Sequence, residues 1–306
     1  MAKSYRNMRV RLALFFALIF AVSIQSLTLA LEVRNEPKTL DPSGEEPSQR
    51  LGWEILEQYR LVGVVKDFRF GFELKIMPRR GKTKTVSGLM LGKDDGYALT
   101  SRLDFVVPGI ATDGVSNTLR LLFQNGISPY VWQSGGPENL MTGLMDSADY
   151  LNDLMESDVS TFELLMPFQF WQSFYYEGQT QFRSRKTHLF WMYPPKEDEA
   201  LTEQLSGVRL YIDDKFHSMI RAEIFSTQKE HLKTLSLLDL KKVDGVWIPK
   251  ELDVRNEKSR NKTRIKIVDA EVGLDLPDYF LSPESLADTV IGVSLESEIL
   301  EGPASF

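Results

Sequence analysis

A chain of 306 residues without a single cysteine excludes a disulfide framework, thiol chemistry and cysteine-built zinc sites. Its formal charge is −7, from 43 Asp and Glu against 36 Lys and Arg, and 42% of its residues are hydrophobic, enough for one large domain or two small ones. An acidic balance of this kind argues against nucleic acid or an anionic lipid surface as partner.

The first thirty residues read as a secretory signal peptide. Lys3, Arg6, Arg9 and Arg11 make a basic start, Leu12 to Val22 is an unbroken apolar run, and Thr28 and Ala30 offer a cleavage site ahead of Leu31. The apolar stretch is short for a membrane anchor. Cleavage would leave an exported mature chain of about −11. Residues 31–46, with Pro37, Pro42, Glu45 and Glu46, form an extended lead-in. Pro47-Ser48 then opens an amphipathic helix to Tyr59, with Leu51, Ile55, Leu56 and Tyr59 on one face.

The next run is the clearest single strand. Phe68, Phe70, Phe72, Leu74 and Ile76 alternate with Arg69, Gly71, Glu73 and Lys75, which places three aromatics in line on one face. The turn Pro78-Arg79-Arg80-Gly81 leads back into a strand from Thr83 to Leu91, and Asp94-Asp95-Gly96 turns again. Further strands are expected over Tyr97 to Val107, Thr118 to Gln124 and Tyr130 to Gln133. Gly81-Lys82-Thr83 is no phosphate loop, because position 76 is Ile where that motif needs Gly. Arg79, Arg80, Lys82 and Lys84 make a solvated basic turn, with docking to an acidic partner as the alternative.

Ser147 to Leu165 is acidic and permits a helix, and Met166 to Phe182 is dense in rings, including Phe168, Phe170, Trp171, Phe174, Tyr175 and Tyr176. Such density marks core or interface. Arg183 to Pro195 is expected as a strand with Leu189 and Trp191 on one face, followed by an acidic surface loop. Gly207 to Ala270 is a meander of alternating runs, with a tight hairpin at Asp244-Gly245, where both central residues need positive φ. Strands joined by turns this short pair antiparallel, so the fold is mainly β with some α, built on an antiparallel sheet. Ser282-Pro283-Glu284 caps a last helical turn, and a loosely anchored tail follows from residue 287.

Recognisable catalytic signatures do not appear. His188, His217 and His231 have no metal-binding spacing, and neither a nucleophile elbow nor a dinucleotide loop occurs. His188 is expected at a surface or rim, and Asp213-Asp214 as turn residues. Asn261-Lys262-Thr263 matches a glycosylation acceptor but sits in a turn. No enzyme activity, cofactor or metal is expected.

Four stretches, in order, resemble the periplasmic outer-membrane lipoprotein-sorting (LolA-like) family. They are Ser160 to Phe168, similar to an Asp-Leu-x-x-Pro-Phe block; Arg209 to Asp213, similar to a Val-x-x-x-Ile-Asp strand; Val243 to Lys250; and Leu276 to Pro283. The Pro-x-x-Phe-x-Trp run of the best-known carriers is missing, with Met77-Pro78-Arg79-Arg80 its only echo. The resemblance implies a half-barrel over residues 47–286, a curved antiparallel sheet covered on its concave face by helices. It also implies a periplasmic carrier or chaperone that holds lipoprotein acyl chains or another amphiphile in an apolar cavity. Lipoprotein or lipid cargo, an inner-membrane transporter and an outer-membrane acceptor would be its partners. Phe68, Phe70, Phe72, Leu74, Ile76, Phe168, Phe170, Trp171 and Trp191 are the candidate cavity residues. A non-transporting sensor or protein-interaction module of the same fold is the alternative. An enzyme with its acid and base hidden among surface carboxylates ranks last.

Overall fold

The computed structural model describes residues 38–39, 47–62, 66–94, 98–106, 118–135 and 140–288. The expected signal peptide, most of the lead-in and the tail beyond 288 lie outside the described residues. Chain order is β1 (Lys38–Thr39), α1 (Gln49–Arg60), β2 (Asp67–Met77), β3 (Lys84–Asp94), β4 (Leu99–Val106), β5 (Thr118–Gln124), β6 (Tyr130–Gly135) and β7 (Leu140–Leu144). Then come α2 (Thr161–Leu165), β8 (Phe174–Phe182), β9 (Arg185–Met192), α3 (Glu199–Gln204), β10 (Leu205–Asp213), β11 (Met219–Ser226), β12 (His231–Val243), β13 (Val246–Asn256) and β14 (Lys262–Leu274).

All the strands join one open, curved antiparallel sheet in the order β1-β8-β9-β10-β11-β12-β13-β14-β2-β3-β4-β5-β6-β7. The strands expected from Phe68 to Gln133 and the Gly207 to Ala270 meander are therefore continuous, and the seam between them is the pairing of β14 with β2, where Lys262 lies opposite Met77 and Val272 opposite Phe68. At the β12–β13 hairpin Asp244 and Gly245 adopt φ of 45° and 83°, the left-handed pair that a two-residue turn demands.

Several expectations change. No helix spans Ser147 to Leu165: a 3-10 turn at Ser147–Asp149 and the five-residue α2 are its only helical parts. Short polar side chains there satisfy the backbone locally, as when Asp146 accepts from the Ala148 N–H and Ser157 Oγ from the Val159 N–H. Met155 and Glu156 also take φ of 53° and 57°, which no right-handed helix allows. The aromatic block hides strand β8, because a bulge at Glu177 shifts the register between Tyr176 and Gly178 and spoils the period of two. β7, with the sequence Leu-Met-Thr-Gly-Leu, has no apolar alternation that would mark it as a strand. The acidic loop before β10 contains α3, whose first turn is capped by the Asp198 carboxylate accepting from the Leu201 N–H.

Helix α1 starts at Ser48, whose hydroxyl accepts from the Leu51 N–H. It buries Gly52, Ile55, Leu56 and Tyr59, while Leu51 is 45% exposed and so lies off the face expected to be apolar. The main core lies on the sheet face that carries Phe68 to Ile76 and includes Ile55, Leu56 and Tyr59 of α1. Two small clusters sit on the opposite face, one of Leu89, Leu91 and Leu276, the other of Phe182, Leu189 and Tyr211.

Candidate functional site

β2 supplies the centre of the inner face. Phe68, Phe70, Phe72, Leu74 and Ile76 are all buried, at 0, 0, 3, 0 and 6% exposure, and all belong to the main core. Full burial of side chains of this size contributes about 1.5–3 kcal/mol each. Phe68 and Phe70 stack at 4.3 Å between ring centroids, and Phe72 meets Phe105 of β4 edge-on at 5.2 Å. The adjacent strand makes room for the rings. Opposite Phe68 and Phe72 stand Gly92 and Gly88, where an added Cβ would come within 2.2 and 2.3 Å of the ring tips. The rings therefore lie down over β3, in a bed that only glycine provides.

A cover lies over this face. It runs from Ser147 to Trp171 and holds Phe162, Phe168 and Trp171, whose rings sit within 5.8 to 6.4 Å of one another in the main core. Among the described residues its one β-bridge is internal, Asp153 to Ser160. Side chains fasten it to the rest of the molecule instead. Buried Arg60 of α1 donates through Nε to the Gln169 carbonyl at 2.9 Å and through Nη2 to the Trp171 carbonyl at 2.8 Å. Lys233 of β12 donates to Asp153 at 2.7 Å and to Glu163 at 3.2 Å. The Glu163 carboxylate also accepts from the N–H and hydroxyl of Ser160, at 2.7 and 2.6 Å. The Thr263 hydroxyl of β14 donates to Asp158 and accepts from its N–H. Burial alone would lower the Lys233 pKa, but the Glu163 and Asp153 carboxylates outweigh it and hold the ammonium above its ordinary value. Burial raises the Asp158 carboxyl above the usual carboxylate range, against the hydrogen bond from Thr263.

Neither Arg60 nor Lys233 stood out in the sequence. Lys233 had a signal: it shares alternation with Leu235 and Leu237, which puts a lysine on the apolar face of a strand. Arg60 ends a helix, where a basic residue is ordinary.

His188 is buried at 4% exposure, not at a rim, because it follows the inward parity of Phe190 rather than that of Leu189. Burial pushes its pKa down, against the pull of Asp214. The neutral ring donates from Nε2 to Asp214 at 2.8 Å and accepts at Nδ1 from the Tyr176 hydroxyl at 2.7 Å. Tyr176 is itself buried and its hydroxyl is pushed up to about 12 by desolvation. This relay is closed off from solvent at its tyrosine end and holds β8 to β9. Asp213 accepts from the N–H groups of Lys215 and Phe216, as a turn residue does, and also pairs with Arg185 at 3.1 Å. Among the described residues no group of three or more His, Asp and Glu is arranged to hold a metal.

The structure brings seven of the nine candidate cavity residues into one core: Phe68, Phe70, Phe72, Leu74, Ile76, Phe168 and Trp171. Phe170 is buried outside that cluster. Trp191 faces the other way, because its neighbours Phe190 and Met192 point into the core. There it packs on Phe225 at 5.0 Å with Arg209 over its ring at 5.6 Å, apart from the inner row.

A family model described as "-like: Uncharacterized protein" matches residues 141–288. No curated protein matches the sequence. Among solved structures, a DUF1329 family protein from Desulfovibrio piger is 18% identical, with a TM-score of 0.66 over 78% of this chain and 98% of its own. A protein from Vibrio parahaemolyticus named for an outer membrane lipoprotein-sorting domain is 14% identical, with a TM-score of 0.61 over 78% and 97%. A LolA superfamily protein from Nitrosomonas europaea is 13% identical, with a TM-score of 0.57 over 76% and 98%. At these identities the likeness is one of fold.

Proposed function

The chain has the LolA-like fold, and from it we propose that the protein is a periplasmic carrier or chaperone that takes an acyl chain or another amphiphile between the inner face of β2 and the cover. The observation that carries this reading is the mode of attachment of the cover. An aromatic row is roofed by a segment that packs on it through Phe162, Phe168 and Trp171 and is joined to its neighbours by side-chain contacts instead of sheet pairing, so the roof can separate without breaking a strand. An acyl chain entering that space gains about 0.8 kcal/mol per buried CH₂ and needs no catalytic group. Lipoprotein cargo, with a transporter and an acceptor on either side of the periplasm, is the fuller form of the same proposal. No helix among the described residues is long and apolar enough to cross a membrane.

A second reading is favoured by the packing of Phe68 and Phe70, which leaves both rings without exposed surface. On that reading the protein is a sensor or interaction module whose core stays closed. The two are separated by titrating a fluorescent fatty-acid probe into the mature protein and into Asp153→Asn, which loosens one tie of the cover at a half-exposed position. A carrier binds the probe, and the variant takes it up faster. Phe70→Asp then lowers affinity at least tenfold, about 1.4 kcal/mol. A protein that binds no amphiphile in either form is an interaction module, and the carrier reading falls. Mass spectrometry of lipid extracted from protein purified from its own periplasm identifies the cargo.

A further inference from the structure

Two hairpin tips stand side by side at one end of the sheet. The turn between β2 and β3 meets the turn between β13 and β14 because β14 pairs with β2 up to Lys262 opposite Met77. The Arg79 N–H donates to Asn261 Oδ1 at 2.9 Å and ties one tip to the other. The tips bring together Arg79, Arg80, Lys82, Lys84, Lys258 and Arg260, all exposed, on a chain whose formal charge is −7. Lys84 pairs with Glu156, and Arg260 pairs with Glu257 at 2.7 Å. The side chains of Arg79, Arg80, Lys82 and Lys258 have no carboxylate partner among the described residues. Pro78, Lys82, Lys84 and Asn261 share a cleft of ≈ 180 Å³ with Glu156 and Asp158, so the basic end borders the cover.

We propose that this end of the molecule docks on an anionic phospholipid surface. The acidity of the whole chain argued against such a partner, but salt screens charges more than about 8 Å apart at physiological ionic strength, so the field at the tips is set by the tips. An acidic protein partner is the rival. The tips offer Arg, which either partner could use, but a protein interface is also centred on a desolvated cluster of aromatic or other large apolar side chains. Neither tip, 78–84 or 256–262, carries an exposed large apolar side chain. Long exposed cations on two adjacent turns instead suit lipid headgroups, which can rearrange around them. Each Lys or Arg near such a surface raises partitioning about fivefold. The docking proposal does not depend on a cargo inside the sheet: a chain that binds no amphiphile can still dock.

The test is sedimentation of the mature protein with vesicles of phosphatidylglycerol and phosphatidylcholine, and with phosphatidylcholine alone, at low and high salt. The wild type should prefer the anionic vesicles, on the order of a hundredfold at low salt, and lose the preference at high salt. The variant Arg79→Glu/Arg80→Glu/Lys82→Glu should bind anionic vesicles at least a hundredfold more weakly with an unchanged thermal midpoint. Arg80→Gln/Lys82→Gln replaces it if charge reversal disturbs the turn, and should lose on the order of twentyfold. Equal binding to both vesicle types, or variants that bind like the wild type, would overturn the proposal. So would a protein that ignores vesicles yet binds polyglutamate through these residues, which would make the tips an acidic-protein surface.

Discussion

Replacing Lys233 by Met removes the ammonium that ties the cover to β12 while keeping most of the buried stem. The ammonium lies between Asp153, whose side chain is 43% exposed, and Glu163, whose side chain is fully buried. A unit pair near 4 Å is worth about 4 kcal/mol at an effective dielectric of 20, whereas a half-exposed partner such as Asp153 adds less than about 1 kcal/mol. Deleting one member of a buried pair costs about 3–5 kcal/mol, because the remaining charge is left without compensation. Glu163 would keep the two Ser160 donors, and its Oε1 is already without a partner. The expected loss for Lys233→Met is therefore about 3–4 kcal/mol. Lys233→Met/Glu163→Gln should lose only about 1–2 kcal/mol, since the orphaned charge is gone, and Asp153→Asn less than about 1 kcal/mol. Urea denaturation at neutral pH, with m-values compared, measures all three. The pH dependence follows from the raised folded pKa of Lys233: its contribution is full below the unfolded lysine value of about 10.4 and is lost as pH rises through the higher folded value. The gap between wild type and Lys233→Met should thus stay level near neutrality and close only in strong alkali. A loss below about 1 kcal/mol for Lys233→Met, or a double variant as unstable as the single, would refute the account of the tie.

Gly92→Ala should cost about 1–3 kcal/mol by chemical denaturation, because its Cβ would fall 2.2 Å from the Phe68 ring tip; a neutral result would mean that the inner row is loosely packed. Burial depresses the folded pKa of His188, so below the unfolded value of about 6.5 the unfolded chain takes up a proton that the folded chain resists, and stability present above that pH is lost as pH falls toward the folded value. His188→Gln should flatten the slope of thermal midpoint against pH between about 6.5 and 5, and equal slopes would refute the assignment. Arg102 of β4, 1% exposed, pairs with Asp104 through Nε at 2.8 Å and Nη2 at 3.1 Å and donates to the Ser285 carbonyl at 3.0 Å. Arg102→Met should lose about 3 kcal/mol and make residues 276–288 sensitive to limited proteolysis; retained protection there would place the anchor of that segment elsewhere.

Residues near in sequence were readable as elements because strand and turn signals are local. The alternation of Phe68 to Ile76 is a backbone fact: a period of two puts every second side chain on one face wherever the strand lies. Asp244-Gly245 likewise named its own turn, since the φ values required are a property of two residues. The same logic failed where local chemistry interfered, at the bulge that hides β8 and in the stretch from Ser147 to Leu165, whose polar side chains bond to their own backbone instead of a helix.

Which face of a strand meets which partner is a longer-range matter. The sequence by itself determined an antiparallel, mainly β chain with an aromatic strand and a ring-rich block, because patterning of apolar residues dictates what must be buried. It did not determine that Gly92 and Gly88 would lie under Phe68 and Phe72, that Trp191 would look away from them, or that Lys233 would reach a carboxylate 70 residues away. Nor could it gather Arg79 and Lys258 at one end. Those placements depend on the pairing of β14 with β2 and on the cover folding back over the sheet. Both join residues far apart in the chain, and a contact of that kind leaves no local period to read.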